Sequence, residues 1–213
     1  MKRIIIAFAF LFATFLVIAG SWYLSKFTPR SRSSSDPVSA GLSNNLSRKI
    51  NSKGSEAKLF AKERNYNPSI CFLVDMSLNS GSNRFFVFDL VKDSIIDAGL
   101  VTHGRCNKTW LSGRKYGNEI GCGCTSLGKY KIGNAYQGRF GLAYKLHGLD
   151  STNSNAYKRF VVLHAHECVP NQAVDPAPIC QSDGCPTVSP EFLQKIAGII
   201  NQSKKPVLLW IFE

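Results

Sequence analysis

From Asn67 onward the chain breaks into short apolar runs, and this pattern limits the possible folds more than any other feature. Ile70–Met76 (ICFLVDM) and Arg84–Leu90 (RFFVFDL) are dense in β-branched and aromatic residues, and SLNSGSN between them reads as a hairpin connection. Ile95–Thr102, Gly128–Ile132, Phe140–Leu146, Arg159–His166 and Pro206–Phe212 read alike, parted by Gly, Asn and Ser clusters. Several runs are apolar on both faces, as strands covered from both sides are. One helix is signalled, with Ser189 as N-cap, Pro190 at its first position and Glu191 in its first turn. Phe192, Leu193, Ile196, Ile199 and Ile200 then fall on one stripe. The expectation is a mainly β domain, a β-sandwich or mixed sheet with one main C-terminal helix. With 14 Phe and 44% hydrophobic residues it can fill a core.

The N-terminus follows different rules. Lys2 and Arg3 precede an uncharged apolar run from Ile4 to Gly20, the pattern of an export signal. Val17 and Ala19 stand at small-residue positions suited to cleavage near Gly20. With Trp22, Tyr23 and Leu24, however, the run approaches the ~20 residues that span a bilayer, and Trp22 and Tyr23 suit an interfacial aromatic belt. Cleaved signal and N-terminal membrane anchor both remain open, with the anchor favoured. Either places the rest of the chain outside the cytoplasm, in the periplasm or cell envelope. No Cys follows the run closely, so a lipid attachment site is absent from this reading.

Phe27–Ala57 holds nine Ser in 31 residues, with Pro29, Pro37, Gly41 and Gly54, and reads as a tether, with a short helix possible around Ala57–Arg64. The expected division is a signal or anchor over 1–25, a Ser-rich basic linker over 26–57 and one folded domain over 58–213. The net charge of +12 is unevenly spread. Residues 26–64 carry nine basic and three acidic side chains, whereas residues 65–213 carry fifteen and eleven. The folded part is only mildly basic, so a membrane partner through the N-terminus fits and a nucleic-acid partner does not.

Seven cysteines in an exported chain are expected to pair, and an odd number leaves one thiol over. Cys168 and Cys180 bracket a Pro-containing loop and are the expected pair. Cys71, Cys106, Cys122 and Cys124 supply two further bridges of undetermined connectivity, and Cys185 is the thiol left free. Cys122-Gly-Cys124 has the spacing of a redox pair, which is weak evidence alone. Cys185 is singled out by two segments, VVLHAHECVP (161–170) and SDGCP (182–186). A nucleophilic cysteine needs a base or cation that raises its thiolate fraction and backbone N–H groups aimed at a developing oxyanion. Gly184 lets the chain turn tightly before Cys185, and His164 at the end of a neighbouring strand supplies the base. His before Cys argues against a papain-like order. His164, His166 and Cys168, at i, i+2 and i+4 of a strand, share a face on which a zinc site with Cys180 or Cys185 could also start, a weaker reading.

In these segments the sequence resembles the murein L,D-transpeptidase catalytic domain family, the YkuD-like cysteine transpeptidases of the cell wall, in the branch whose nucleophile motif reads S-x-G-C-P. His164 matches the family's catalytic His, and Ser182, Gly184 and Cys185 match its Ser, Gly and nucleophile. Similarity continues through FFVFDL, VTHG (101–104), SLGKY (126–130), YQGRFG (136–141) and LHGLD (146–150), covering about residues 58–213. The resemblance implies acyl transfer on peptidoglycan stem peptides. The Cys185 thiolate attacks a stem carbonyl, His164 moves the proton, and the N–H groups of Gly184 and Cys185 hold the oxyanion. Ser182 orients the His or the substrate. An amine then resolves the acyl-enzyme into a cross-link, and water instead makes an L,D-carboxypeptidase. Tyr136, Arg139, Tyr144 and His103 stand at groove positions, and no metal or organic cofactor is required.

Three features depart from this pattern, the first being the additional cysteines, which are not part of the general family motif. Pro186 and Thr187 stand where the family often has a hydrophobic residue and then Arg or Asn. Asp183 places a carboxylate beside the nucleophile, which opposes thiolate formation unless it points away. A sortase-type reading needs an Arg downstream of the Cys, and none follows Arg159. The remaining rival is a non-catalytic, disulfide-stabilised peptidoglycan-binding module, which requires Cys185 to be paired or inert.

Overall fold

The computed structural model describes residues 43–213. The apolar head, read as signal or anchor, and the first part of the tether lie outside the described residues. Among the described residues no helix is long and apolar enough to cross a membrane.

The strands build one eight-stranded mixed sheet, ordered β3-β2-β1-β8-β4-β5-β6-β7. They are β1 (Ile70–Asp75), β2 (Phe85–Asp89), β3 (Ser94–Gly99), β4 (Gly128–Gly138), β5 (Gly141–Gly148), β6 (Val162–Ala165), β7 (Thr187–Val188) and β8 (Leu208–Phe212). The final strand β8 enters the centre, parallel to β1 and antiparallel to β4. At one edge β7 runs parallel to β6.

The two-sided apolar pattern has a direct cause: each face of the sheet carries a helix. On one face Phe72, Val74, Phe85, Val87, Leu209 and Ile211 pack beneath α2 (Pro190–Gln202) through Phe192, Leu193 and Ile196. On the other, Cys71, Leu73, Phe86, Phe88, Leu208, Trp210 and Phe212 pack beneath α1 (Asn44–Glu63). Neighbours in each strand thus feed opposite cores, as the period of two requires. Burial of each large side chain contributes roughly 1.5–3 kcal/mol.

Helix α1 is a correction to the tether reading, since it takes up the part of the expected linker from Asn44 onward. Ser43 caps it by accepting the Leu46 N–H at 3.3 Å. Its buried stripe is Ile50, Gly54, Ala57 and Ala61. A Cβ at Gly54 would stand 2.3 Å from the Phe88 ring, so glycine is what lets the helix approach β2 this closely. Lys49 Nζ pairs with the buried Asp75 carboxylate at 2.9 Å, and Lys53 lies over the Trp210 ring.

The cysteine expectation holds for the Cys168–Cys180 pair and the free Cys185 and is corrected for the other four. The described residues form two disulfides, Cys106–Cys124 and Cys168–Cys180, and Cys71, Cys122 and Cys185 are free. Cys71 points into the core of the α1 face opposite Leu208, where burial drives its thiol pKa far up and it behaves as a small hydrophobe.

Candidate active site

Register places the histidine. Tyr136 on β4 opposes Ala143 on β5, Ala143 opposes His164 on β6, and His164 opposes Thr187 on β7. These four residues form one row across the sheet, while Leu163 beside His164 turns into the core. His164 Nδ1 lies 3.0 Å from the Ala165 carbonyl oxygen, which can only accept, so the ring proton resides on Nδ1. Nε2 then accepts from the Thr187 hydroxyl at 3.0 Å. Burial lowers the His164 pKa, His166 adds to that, and the bond to Ala165 partly opposes it. The ring is therefore neutral, with its lone pair on Nε2, which is the form a general base needs. Phe140, from the β4–β5 hairpin tip, stacks on it with centroids 5.0 Å apart.

The nucleophile loop is held differently, without a strand of its own. Ser182 docks on the chain after β3: its N–H donates to His103 O at 3.0 Å, and its carbonyl accepts from Arg105 N–H at 2.9 Å. Ser182 Oγ donates to the Cys185 carbonyl at 2.7 Å and accepts from Gly184 N–H at 3.2 Å. Thr102 Oγ1 gives the same carbonyl a second bond at 3.2 Å. Gly184 has φ +105°, and a Cβ there would stand 2.6 Å from Cys124 O, so no other residue fits this turn.

The Cys185 thiol is free and lies 3.9 Å from Phe160 O. Burial raises its pKa; a backbone hydrogen bond at Val162 and the Arg159 guanidinium lower it, and Asp183 raises it. The Asp183 carboxylate is partly answered, because Arg105 Nε bonds it at 2.7 Å.

Both walls open on one cleft of about 350 Å³, lined among others by His164, His166, Cys185, Thr187, Phe140 and Trp110. The histidine and cysteine singled out in the sequence are thus brought together, although His164 Nε2 is bonded to Thr187 rather than to the thiol. The cleft holds a proton acceptor and a free thiol.

Ser182 also lines the cleft, whereas Tyr136, Arg139, Tyr144 and His103 do not. The Ser182 hydroxyl is spent on the loop and orients neither His164 nor an open groove. Gly184 N–H is likewise engaged, whereas Cys185 N–H has no acceptor among the described residues. Tyr144 is a core residue whose hydroxyl donates to Asn201 on α2 at 3.0 Å. It is one position along β5 from Ala143, which turns it to the opposite face from His164.

His103 is buried, with Nδ1 3.1 Å from Arg84 Nη2, and lines a second cavity of about 280 Å³ instead of the cleft. Burial, then Arg84 and Arg114, push its pKa down to about 4. Tyr136 stands in the His164 row but two strands away, under Lys145 Nζ. Arg139 lies over the Phe140 ring. Cys168 and Cys180 are spent in one disulfide, which leaves Cys185 as the one thiol of the three sulfurs that the zinc reading offered.

Sequence reasoning missed Thr187 as the partner of His164, Thr102 as a clamp on Cys185, Phe140 as a cleft wall, and Arg159. For Thr187 a signal existed, since it stands two positions after the cysteine and one strand over from the histidine.

The helical cell shape determining protein Pgp2 from Campylobacter jejuni is 13% identical, with a TM-score of 0.42, over 68% of this chain and 48% of that one. An L,D-transpeptidase from Mycobacterium smegmatis is 12% identical, with a TM-score of 0.39, over 68% of this chain and 59% of that one. The chain therefore spans about half the length of the first of these. Among curated proteins no match is found. A family model described as the L,D-transpeptidase catalytic domain matches residues 42–211, so it takes in α1 and both segments that build the cleft. On that match the chain belongs to the L,D-transpeptidase catalytic domain family.

Proposed function

We propose that this protein is an envelope L,D-transpeptidase that acts on peptidoglycan stem peptides through a thioester on Cys185. The observation that carries the reading is a free thiol and a neutral histidine in one cleft, with the lone pair of the histidine on Nε2. His164 Nε2 takes the Sγ proton as the thiolate attacks a stem-peptide carbonyl. For this the Thr187 hydroxyl turns away about χ1 and frees the nitrogen. Cys185 N–H donates to the oxyanion, while the Ser182 and Thr102 hydroxyls hold the Cys185 carbonyl so that this N–H keeps its aim. Collapse breaks the C–N bond to the terminal D-amino acid, which leaves with the proton from His164. An amine then attacks the thioester and gives a cross-link, or water attacks and gives the shortened stem. The apolar head directs the chain to the envelope and anchors it there, and this part of the reading rests on its sequence alone.

The test is release of the terminal D-amino acid from a purified disaccharide–tetrapeptide by the full-length chain and by Cys185→Ala. Release by the parent alone supports the reading. Binding of peptidoglycan without release, with Cys185 resistant to alkylation in the folded chain, replaces it with the binding-module reading.

A further inference from the structure

The nucleophile loop has a cation on its far side that no motif marks. Arg159 lies near the end of the connection between β5 and β6, immediately before Phe160, whose carbonyl faces the Cys185 thiol. Its guanidinium turns inward. Nη1 donates to Gly117 O at 3.0 Å and to Ser126 Oγ, and Nη2 donates to Cys124 O. All three acceptors are neutral. Among the described residues no carboxylate forms an ion pair with Arg159. A partly buried guanidinium without a carboxylate is a costly arrangement unless a charge appears beside it.

Two groups on that side can carry such a charge, Cys185 and Asp183, and the Asp183 carboxylate is taken by Arg105. Arg159 Nη2 lies 3.1 Å from where a Cβ on Gly184 would stand, and the Cys124 carbonyl it grips lies 2.6 Å from the same point. Arg159 therefore packs against the backbone that carries the nucleophile and reaches it from upstream in sequence. The other charged or titratable groups facing this loop are Arg105 and Asp183, which are bonded to each other, His164 and His166 in the same cleft, and the buried Tyr130, whose hydroxyl donates to Ser126 O.

We propose that Arg159 is a positioning residue for Cys185: it holds the Cys124 carbonyl against Gly184 and supplies a positive charge that favours the Cys185 thiolate against the cost of its burial. This rests on the reading of Cys185 as the nucleophile. It assigns the cationic function to a residue that precedes the histidine in sequence, while the position two after the cysteine is given to Thr187 and to bonding His164.

The experiment follows the rate of iodoacetamide alkylation at Cys185 against pH, by peptide mass spectrometry, on the full-length chain and on Arg159→Gln and Arg159→Lys. No substrate is used, so the result is independent of transpeptidation; absence of D-amino acid release in the parent would sink the functional reading and leave this profile interpretable. Cys71 serves as an internal gauge, because it stays unlabelled while the fold is intact. The expected result is a rise of about one pH unit in the Cys185 midpoint for Arg159→Gln, hence about tenfold slower labelling at pH 7. Arg159→Lys keeps the charge and shifts the midpoint by less than half as much. An unchanged midpoint in a folded Arg159→Gln overturns the proposal. Should Arg159→Gln unfold, Arg159→Lys decides: a folded Arg159→Lys with a midpoint raised by a full unit shows that the charge does not set the reactivity.

Discussion

The two walls of the cleft fix their key residues by different means. His164 sits in a strand, and its place follows from hydrogen-bond register: Ala143 on one side, Thr187 on the other, Leu163 turned into the core. Cys185 sits in a loop, and its place follows from single polar contacts: Ser182 and Thr102 on its carbonyl, Cys124 O and Arg159 against Gly184. A register is redundant, since many ladder bonds agree on it, and it survives loss of one side chain. A loop has no such redundancy. The histidine wall should therefore be chemically sensitive but structurally robust, and the cysteine wall should be sensitive in both respects.

The strongest way to break this contrast is His164→Gln. It should lower D-amino acid release by about 10²–10⁴-fold, the range for loss of a general base, without a measurable change in urea midpoint. A large loss of stability would show that the strand wall relies on this side chain.

His103, whose carbonyl docks Ser182 of the loop wall, gives the next effect, in stability. Its folded pKa of about 4 lies below the ordinary 6.5, so the unfolded chain binds the extra proton between these values. Its contribution is complete above pH 6.5 and falls as the pH drops towards 4, by as much as about 3 kcal/mol. His164, also lowered, acts in the same direction. Urea unfolding at pH 7 and pH 4 should show His103→Gln losing clearly less stability than the parent. Equal losses would mean that His103 is not held neutral beside Arg84.

Ser182→Ala sharpens the loop side. It removes a donor from the Cys185 carbonyl and an acceptor from Gly184 N–H, a cost of about 1–3 kcal/mol. Release should fall tenfold or more while the His164 pKa, followed by NMR, stays put. The smallest effect belongs to Arg105→Ala. Its bond to Asp183 is exposed to solvent on both sides, so release should change by no more than about twofold.

The same contrast explains what could be read in the sequence. Strands β1, β2 and β8 were legible because alternate residues feed two cores, and α2 because Ser189, Pro190 and its apolar stripe mark it. Helix α1 was not. Its buried stripe is one Ile followed by Gly54, Ala57 and Ala61, whose smallness gives almost no apolar contrast within a Ser-rich composition. That smallness also lets the helix lie close to Phe88. At the site, His164 was legible from its strand, and Cys185 from the glycine-bearing turn before it. The clamps were not, since Thr102 stands 83 residues from the carbonyl it binds, and such pairing leaves no local pattern. Tyr144 was misplaced by one residue, which in a strand means the wrong face. Cys71 was counted among the bridges although it stands inside the run ICFLVDM, where a core position calls for a hydrophobe.

The most direct measurement is the intact mass of the full-length chain after incubation with a disaccharide–tetrapeptide, beside Cys185→Ala and His164→Gln. The expected result is an adduct equal to the stem fragment without its terminal D-amino acid. It should form on the parent, form slowly on His164→Gln and never form on Cys185→Ala, with peptide mapping to Cys185. An adduct of the same mass on Cys185→Ala, or on Cys122 of the parent, would contradict the assignment of the nucleophile to this loop.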